Sequence, residues 1–273
     1  MSKKEAKTTR GSVLFVVLLV LLLAVLGFSL YKIIPYVYST KKAERQFTEL
    51  TESFVKKTVP EKADPEKEEP EDPDAWWWRD VSVDVAALQK INPDVMGWIR
   101  FDDTAAVGID YPVLAAEHAD SYLRRDMYGE HSLPGSIFSM DEKSLDLEWP
   151  HTLLYGHNMR DGSMFSALPL YEDQEFWEAN RYFTVYTAKA AYRYEIFACF
   201  TADVTGDVYL IQHDWGEEYE QYVKFLRASS AYDTGVRVRP EAYTMTLSTC
   251  TDRGYDWRYT VHAVCIEVHE YED

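Results

Sequence analysis

A mostly β domain of barrel or sandwich type is predicted by recurring short runs of β-branched and aromatic residues, separated by polar connections, over the last ~200 residues of this 273-residue chain. Two further observations complete the outline: one long apolar segment near the N-terminus, and a stretch rich in proline and charge behind it. Together they predict an anchor, a stalk and one sizeable folded domain.

The apolar segment runs from Val13 to Leu30 with only Gly27 and Ser29 interrupting, and Lys32-Ile33-Ile34 prolongs it with one charge. About 20 helical residues cross a bilayer core, so the segment is long enough. Lys3, Lys4, Lys7 and Arg10 precede it, and the positive-inside rule therefore predicts residues 1–11 in the cytoplasm, 12–34 in the membrane and the rest outside. A cleaved signal peptide would have a shorter apolar region followed by a small-x-small site. Nothing like Ala-x-Ala follows Leu30, which favours an uncleaved anchor.

Residues 35–75 read as an extracellular stalk. Pro60, Pro65, Pro70 and Pro73 interleaved with Glu and Lys disfavour a packed core and favour an extended spacer. Within it, Lys42 to Lys57 has a helical pattern, with Phe47, Leu50 and Phe54 at spacings of three and four. Trp76, Trp77 and Trp78 mark the edge of the domain assigned to 76–273, followed by a helix around Val83 to Ile91. Asn92-Pro93 reads as a helix N-cap with proline at the first helical position. Strands are predicted around Thr152 to Tyr155, Tyr182 to Tyr186, Tyr192 to Thr201, Tyr243 to Thr249 and Tyr259 to Val268. Between the last three lies Trp215 to Ser230, where Trp215, Tyr219, Tyr222, Val223 and Leu226 form one apolar helical face. The formal net charge of -18 argues against nucleic acid, which needs a basic footprint, and suits a soluble exterior domain.

Chemistry concentrates at the end of the run Met245 to Cys250. Arg258 heads the next strand, so if the two strands are neighbours, a thiol leaves one where a guanidinium enters the other. A thiol attacks as thiolate, and a nearby cation favours that form. His157 follows an apolar strand and Gly156, which places an imidazole at a strand end, ready to move a proton near neutral pH. Two other cysteines, Cys199 and Cys265, lie inside apolar strands and read as buried, reduced thiols. His262 is the rival of His157 but falls inside the last strand, and Arg253 competes with Arg258. Neither HExxH nor paired CxxC occurs, so no metal and no cofactor is expected.

These residues resemble a known family. Thr246-Leu247-Ser248-Thr249-Cys250 resembles the sortase signature TLxTC, and Tyr155-Gly156-His157-Asn158 resembles the family's histidine segment. Asn158 to Phe165, Gly135-Ser136-Ile137-Phe138, Asn92 to Ile99 and Asp110-Tyr111-Pro112-Val113 are similar to class B sortases in particular. The resemblance implies a closed sortase-type β-barrel with an N-terminal helical segment and a helix inserted before the Cys-bearing strand. It implies Cys250 as nucleophile, His157 as acid/base and Arg258, which leads the closing strand, as electrostatic stabiliser. It also implies a cysteine transpeptidase that cuts an NPxTx-like C-terminal sorting signal after threonine and passes the protein to a cell-wall amine. Leu123, Thr205, Tyr209, Leu210 and Ser248 fall at positions like those lining the class B peptide groove. Ala119, in a helix expected over His118 to Arg124, stands where a polar residue would be expected.

Three other readings stay open at this point. A pilin-polymerising sortase would use a lysine acceptor, although Asp72-Pro73-Asp74 and Trp76 match its usual lid poorly. A hydrolytic cysteine peptidase of another fold would pair Cys and His with an Asn or Asp. A non-catalytic surface-binding barrel would make Cys250 incidental.

Overall fold

The computed structural model describes residues 2–57, 77–141, 144–147, 149–210 and 214–271. Helix α1 spans Ser2–Phe54 without a break, so the apolar segment and the patterned segment behind it form one rod. From Val13 to Ile34 its large apolar side chains are exposed, and by length and composition the helix can cross a membrane.

Beyond Pro35 the rod differs from the solvated spacer expected over 35–75. Ala43 and Leu50 are buried, and Phe47 meets Tyr111 edge-on with ring centroids 4.8 Å apart. Strand β1 (Val55–Lys57) then pairs antiparallel with β2 (Val81–Val83). The physical reason lies in the spacing: Ala43, Phe47, Leu50 and Phe54 make one apolar stripe, and burying each large side chain is worth roughly 1.5–3 kcal/mol. The proline-rich part of the predicted stalk, together with Trp76, lies outside the described residues. Trp77 donates to Glu267 Oε2 at 2.6 Å and Trp78 stacks on His269 at 3.6 Å, which ties this edge to the last strand.

Helix α2 (Val85–Ile91) is capped by Asp84, whose carboxylate accepts from the Ala87 N–H at 2.9 Å. Asn92-Pro93 corrects the sequence expectation, because it ends this helix instead of opening one. The Asn92 N–H bonds the Leu88 carbonyl at 3.0 Å, and the residue before a proline is pushed out of the helical region. The chain continues as β3 (Val95–Phe101), α3 (Thr104–Val107), β4 (Asp110–Ala115), α4 (Ala119–Tyr122), β5 (Ile137–Ser139) and β6 (His151–Tyr155). Then follow α5 (Gln174–Ala179), β7 (Tyr182–Tyr186), β8 (Ala190–Asp203), α6 (Glu217–Ser229), β9 (Thr244–Thr251) and β10 (Gly254–Glu270). Helix α4 is a single turn within the longer helix expected over 118–124.

Eight strands close into a barrel in the order β10, β8, β7, β3, β4, β5, β6, β9. The β4–β5 and β6–β9 pairs are parallel and the others antiparallel. Phe101 stacks on Phe183 and Phe183 on Tyr194, at 4.8 and 5.2 Å. Gly97 lets β3 approach β7, since a Cβ there would lie 2.4 Å from the Tyr186 carbonyl oxygen. Helix α6 buries Tyr219, Tyr222, Val223 and Leu226 as predicted, while Trp215 stands before it, 39% exposed.

Candidate active site

Strand register assembles the site. In the parallel β6–β9 pair, Tyr155 lies opposite Ser248, so two further residues on each strand bring His157 and Cys250 to the same level at the same end of the barrel. On the other flank of β9, Arg258 is the direct antiparallel partner of Cys250. Three hydrogen bonds then sew the strand ends together. The Gly156 N–H donates to the Ser248 carbonyl at 3.2 Å, and the Thr249 hydroxyl to the Gly156 carbonyl at 2.8 Å. The Asn158 amide donates to the Cys250 carbonyl at 3.0 Å. Gly156 is required here by space: a Cβ would lie 2.5 Å from Ile137 Cδ1 and 2.7 Å from the Phe165 ring.

Cys250 is exposed, unlike the other two thiols. Cys199 is buried, with its thiol donating to the Tyr171 carbonyl at 3.0 Å, and burial pushes its pKa up. Burial pushes the Cys265 thiol up to about 12. Both are free, and neither has the surroundings of a nucleophile.

His157 is half-buried, with Nε2 2.8 Å from the Leu123 carbonyl oxygen. A carbonyl only accepts, so the proton of the neutral ring sits on Nε2 and Nδ1 is left with a free lone pair. Burial holds the imidazole below the usual histidine range; the Leu123 carbonyl opposes this and the Arg124 charge adds to it. His262 is fully buried, with Nδ1 2.7 Å from the Thr246 hydroxyl and Nε2 2.9 Å from the Thr260 hydroxyl. Both of its nitrogens are occupied.

The Arg258 guanidinium donates to the Tyr255 and Trp257 carbonyls at 2.7 and 2.9 Å, and these bonds fold it back over the β9–β10 connection. Among the described residues no carboxylate lies within 4.0 Å of it. Arg253 instead turns to Glu172, 3.6 Å away. No group of three His, Cys, Asp or Glu side chains suited to a metal ion occurs among the described residues.

The five groove positions divide. The Tyr209 hydroxyl lies 3.0 Å from the Ser248 Oγ, and Leu123 supplies the carbonyl that holds His157. Burial raises the Tyr209 phenol; the Ser248 bond and the Arg258 charge pull it back, while Cys250 raises it, so this ring senses both neighbours of the thiol end. Leu210, 56% exposed, follows it. Thr205 is exposed, and its N–H and hydroxyl are both taken by Asp203 Oδ1 at 2.7 and 2.6 Å. Sequence reasoning did not assign Tyr155, whose ring lies parallel to Tyr209 at 6.5 Å, nor Asn158, which fixes the Cys250 carbonyl. Strand alternation could have found Tyr155, two residues before His157 on the same face.

An eight-stranded closed barrel with an exposed thiol, an imidazole and an arginine at adjoining strand ends defines a cysteine transpeptidase of sortase type. The sortase domain model matches residues 104–266, and the chain belongs to the sortase family, in class B. It is 36% identical over 172 residues to sortase B of Listeria monocytogenes, covering 62% of this chain and 68% of that one. It also resembles the Staphylococcus aureus sortase B–substrate complex, with a TM-score of 0.61, 29% identity, and coverage of 67% and 84% of the two chains. The sortase B structure from Clostridium perfringens matches with a TM-score of 0.60 and 29% identity, over 67% of this chain and 99% of that one.

Proposed function

We propose that this sortase is held in the membrane by α1 with its catalytic domain outside, and that it cuts an NPxTx-like sorting signal after threonine. The observation that carries the site assignment is the register that sets His157 and Arg258 on either side of Cys250. Cys250 Sγ attacks the threonine carbonyl while Nδ1 of neutral His157 takes the thiol proton. The resulting imidazolium gives that proton to the departing amine, leaving a thioacyl enzyme. Arg258 stabilises the oxyanion or positions the substrate backbone. An amine of a cell-wall precursor then attacks the thioester, returns a proton through His157 and regenerates the thiol.

Leu123, Tyr209, Leu210 and Ser248 are proposed to line the peptide groove, with Tyr155 added as part of its wall. Thr205 is proposed to contribute through its backbone carbonyl or after releasing Asp203, because its N–H and hydroxyl are already bonded. The test is turnover of an NPxTx peptide with and without an added amine. Cys250→Ala should abolish both cleavage and amine transfer with circular dichroism unchanged, and substantial turnover by that variant would remove the thiol from the mechanism.

A further inference from the structure

We propose that the thiol end of the barrel rests on the membrane surface and that Lys32, Arg124 and Arg160 there form a contact site for anionic phospholipid headgroups. This rests on the reading of α1 as a membrane anchor. Because α1 is continuous, the domain's height above the bilayer is set by where it first grips the helix. The Ser39 hydroxyl accepts from the Leu133 N–H at 3.2 Å and Lys42 pairs with Glu130 at 2.5 Å. Ser39 is only about 13 Å along the helix from Leu30, where the unbroken apolar run ends.

The loop after His157 runs beside this helix and gives the barrel its orientation. Asp161 to Ser163 line a cavity with Ala43, Phe47 and Thr48, higher on the rod. Asn158 and Arg160 line another, of about 450 Å³, with Lys32, Tyr36 and Arg124 at the end of the apolar segment. Asn158 is the residue bonded to the Cys250 carbonyl, so the thiol end is the membrane-proximal one.

Charge selects the occupant. In a chain of net charge -18, the three cations are exposed and, among the described residues, none has a carboxylate within 4.0 Å. The nearby acids are engaged elsewhere: Glu130 with Lys42, and Asp161 with the Ser163 hydroxyl at 2.7 Å. The Tyr36 hydroxyl, buried in the same cavity wall, has no hydrogen-bond partner among the described residues. At headgroup depth this is an exposed cationic site, which fits a phosphodiester. Each basic residue beside an anionic leaflet contributes about a fivefold preference for it. Contact there turns the thiol toward substrates that are still held in the bilayer.

The test places the full-length chain in nanodiscs of phosphatidylcholine alone or with phosphatidylglycerol, and follows amide hydrogen exchange of residues 158–163. The expected result is exchange at least about fivefold slower with phosphatidylglycerol, with the difference lost in a Lys32→Gln/Arg160→Gln variant and in high salt. Equal exchange in both lipids, by a chain that co-purifies with the discs, overturns the inference and leaves the anchor standing. A chain that does not enter the discs overturns both. Slowing that survives in the double variant also overturns the proposed site.

Discussion

His157, just past the end of β6, and His262, within β10, lie on the two sides of β9, and their surroundings differ in the respect on which the proposed acid/base role of His157 rests. His157 is half-buried, with one ring nitrogen bonded to Leu123 and the other without a hydrogen-bond partner among the described residues. His262 is in mid-strand, fully buried between Thr246 and Thr260 and stacked on Phe200, with both nitrogens occupied. His151 repeats the second pattern, with Nδ1 2.8 Å from the Thr244 hydroxyl and Nε2 3.0 Å from the Tyr222 hydroxyl. All three are held below the usual histidine range chiefly by burial. A depressed pKa is therefore no mark of function here. What distinguishes His157 is a strand end and an unoccupied nitrogen.

Exchanging the two histidines is the strongest way to break this comparison. His157→Ala should lower kcat/KM by about 10² to 10⁴ while the urea midpoint barely moves. His262→Ala should do the reverse, costing on the order of 2–4 kcal/mol of stability through a cavity and the loss of its bonds to Thr246 and Thr260, with near-normal turnover in the folded fraction. Parallel kinetics and urea unfolding of both variants decide it; equal damage to activity would erase the distinction.

Arg258 and Arg253 give the next contrast. Arg258→Lys should reduce kcat by about 10² to 10³, because an ammonium cannot replace a planar donor pair, whereas Arg253→Lys should be nearly neutral. Comparing kcat/KM on one fluorogenic sorting peptide reads the difference. If Arg253→Lys proves the damaging change, the assignment of the cation fails.

Acid sharpens the comparison further. The folded state holds His151 and His262 neutral, with His151 titrating near 3, while the unfolded chain takes up protons near 6.5. Their contribution is thus fully present above pH 6.5 and is lost as pH falls from there, down to about 3 for His151. The loss amounts to up to about 1.4 kcal/mol per pH unit for each histidine. Urea midpoints at pH 7 and pH 5 should show this fall, and His262→Gln should make it shallower by about one proton.

The smallest effect concerns Asn158. Asn158→Ala removes one exposed side-chain bond to the Cys250 carbonyl and should cost roughly 0.5–1.5 kcal/mol, seen as a modest loss of kcat with little change in KM.

Legibility in the sequence followed burial pattern. Strands β7, β9 and β10 could be read from their aromatic and β-branched runs, and α6 from its stripe of Tyr219, Tyr222, Val223 and Leu226. Strand β3 was missed because it is covered on both faces and shows no alternation, with Gly97 interrupting its propensity. Strand β5, three residues long, is too short to announce itself. The docking of residues 43–55 was concealed by the charged, proline-rich sequence that follows. At the site, the thiol, imidazole and guanidinium were legible as residue types at strand ends, and β-register supplies their adjacency. Tyr155 was legible only through strand alternation from His157, and the Asn158 bond was not legible, since its partner is remote in sequence.

The central claim is that the strand ends make one thiol, and one only, a nucleophile. Intact-mass and peptide mapping of the enzyme mixed with an NPxTx peptide tests it most directly. The account predicts a thioester adduct, ending at the threonine of the peptide, on Cys250 and on neither Cys199 nor Cys265. An adduct on either of those two, or peptide cleavage by a Cys250→Ala enzyme, would contradict it.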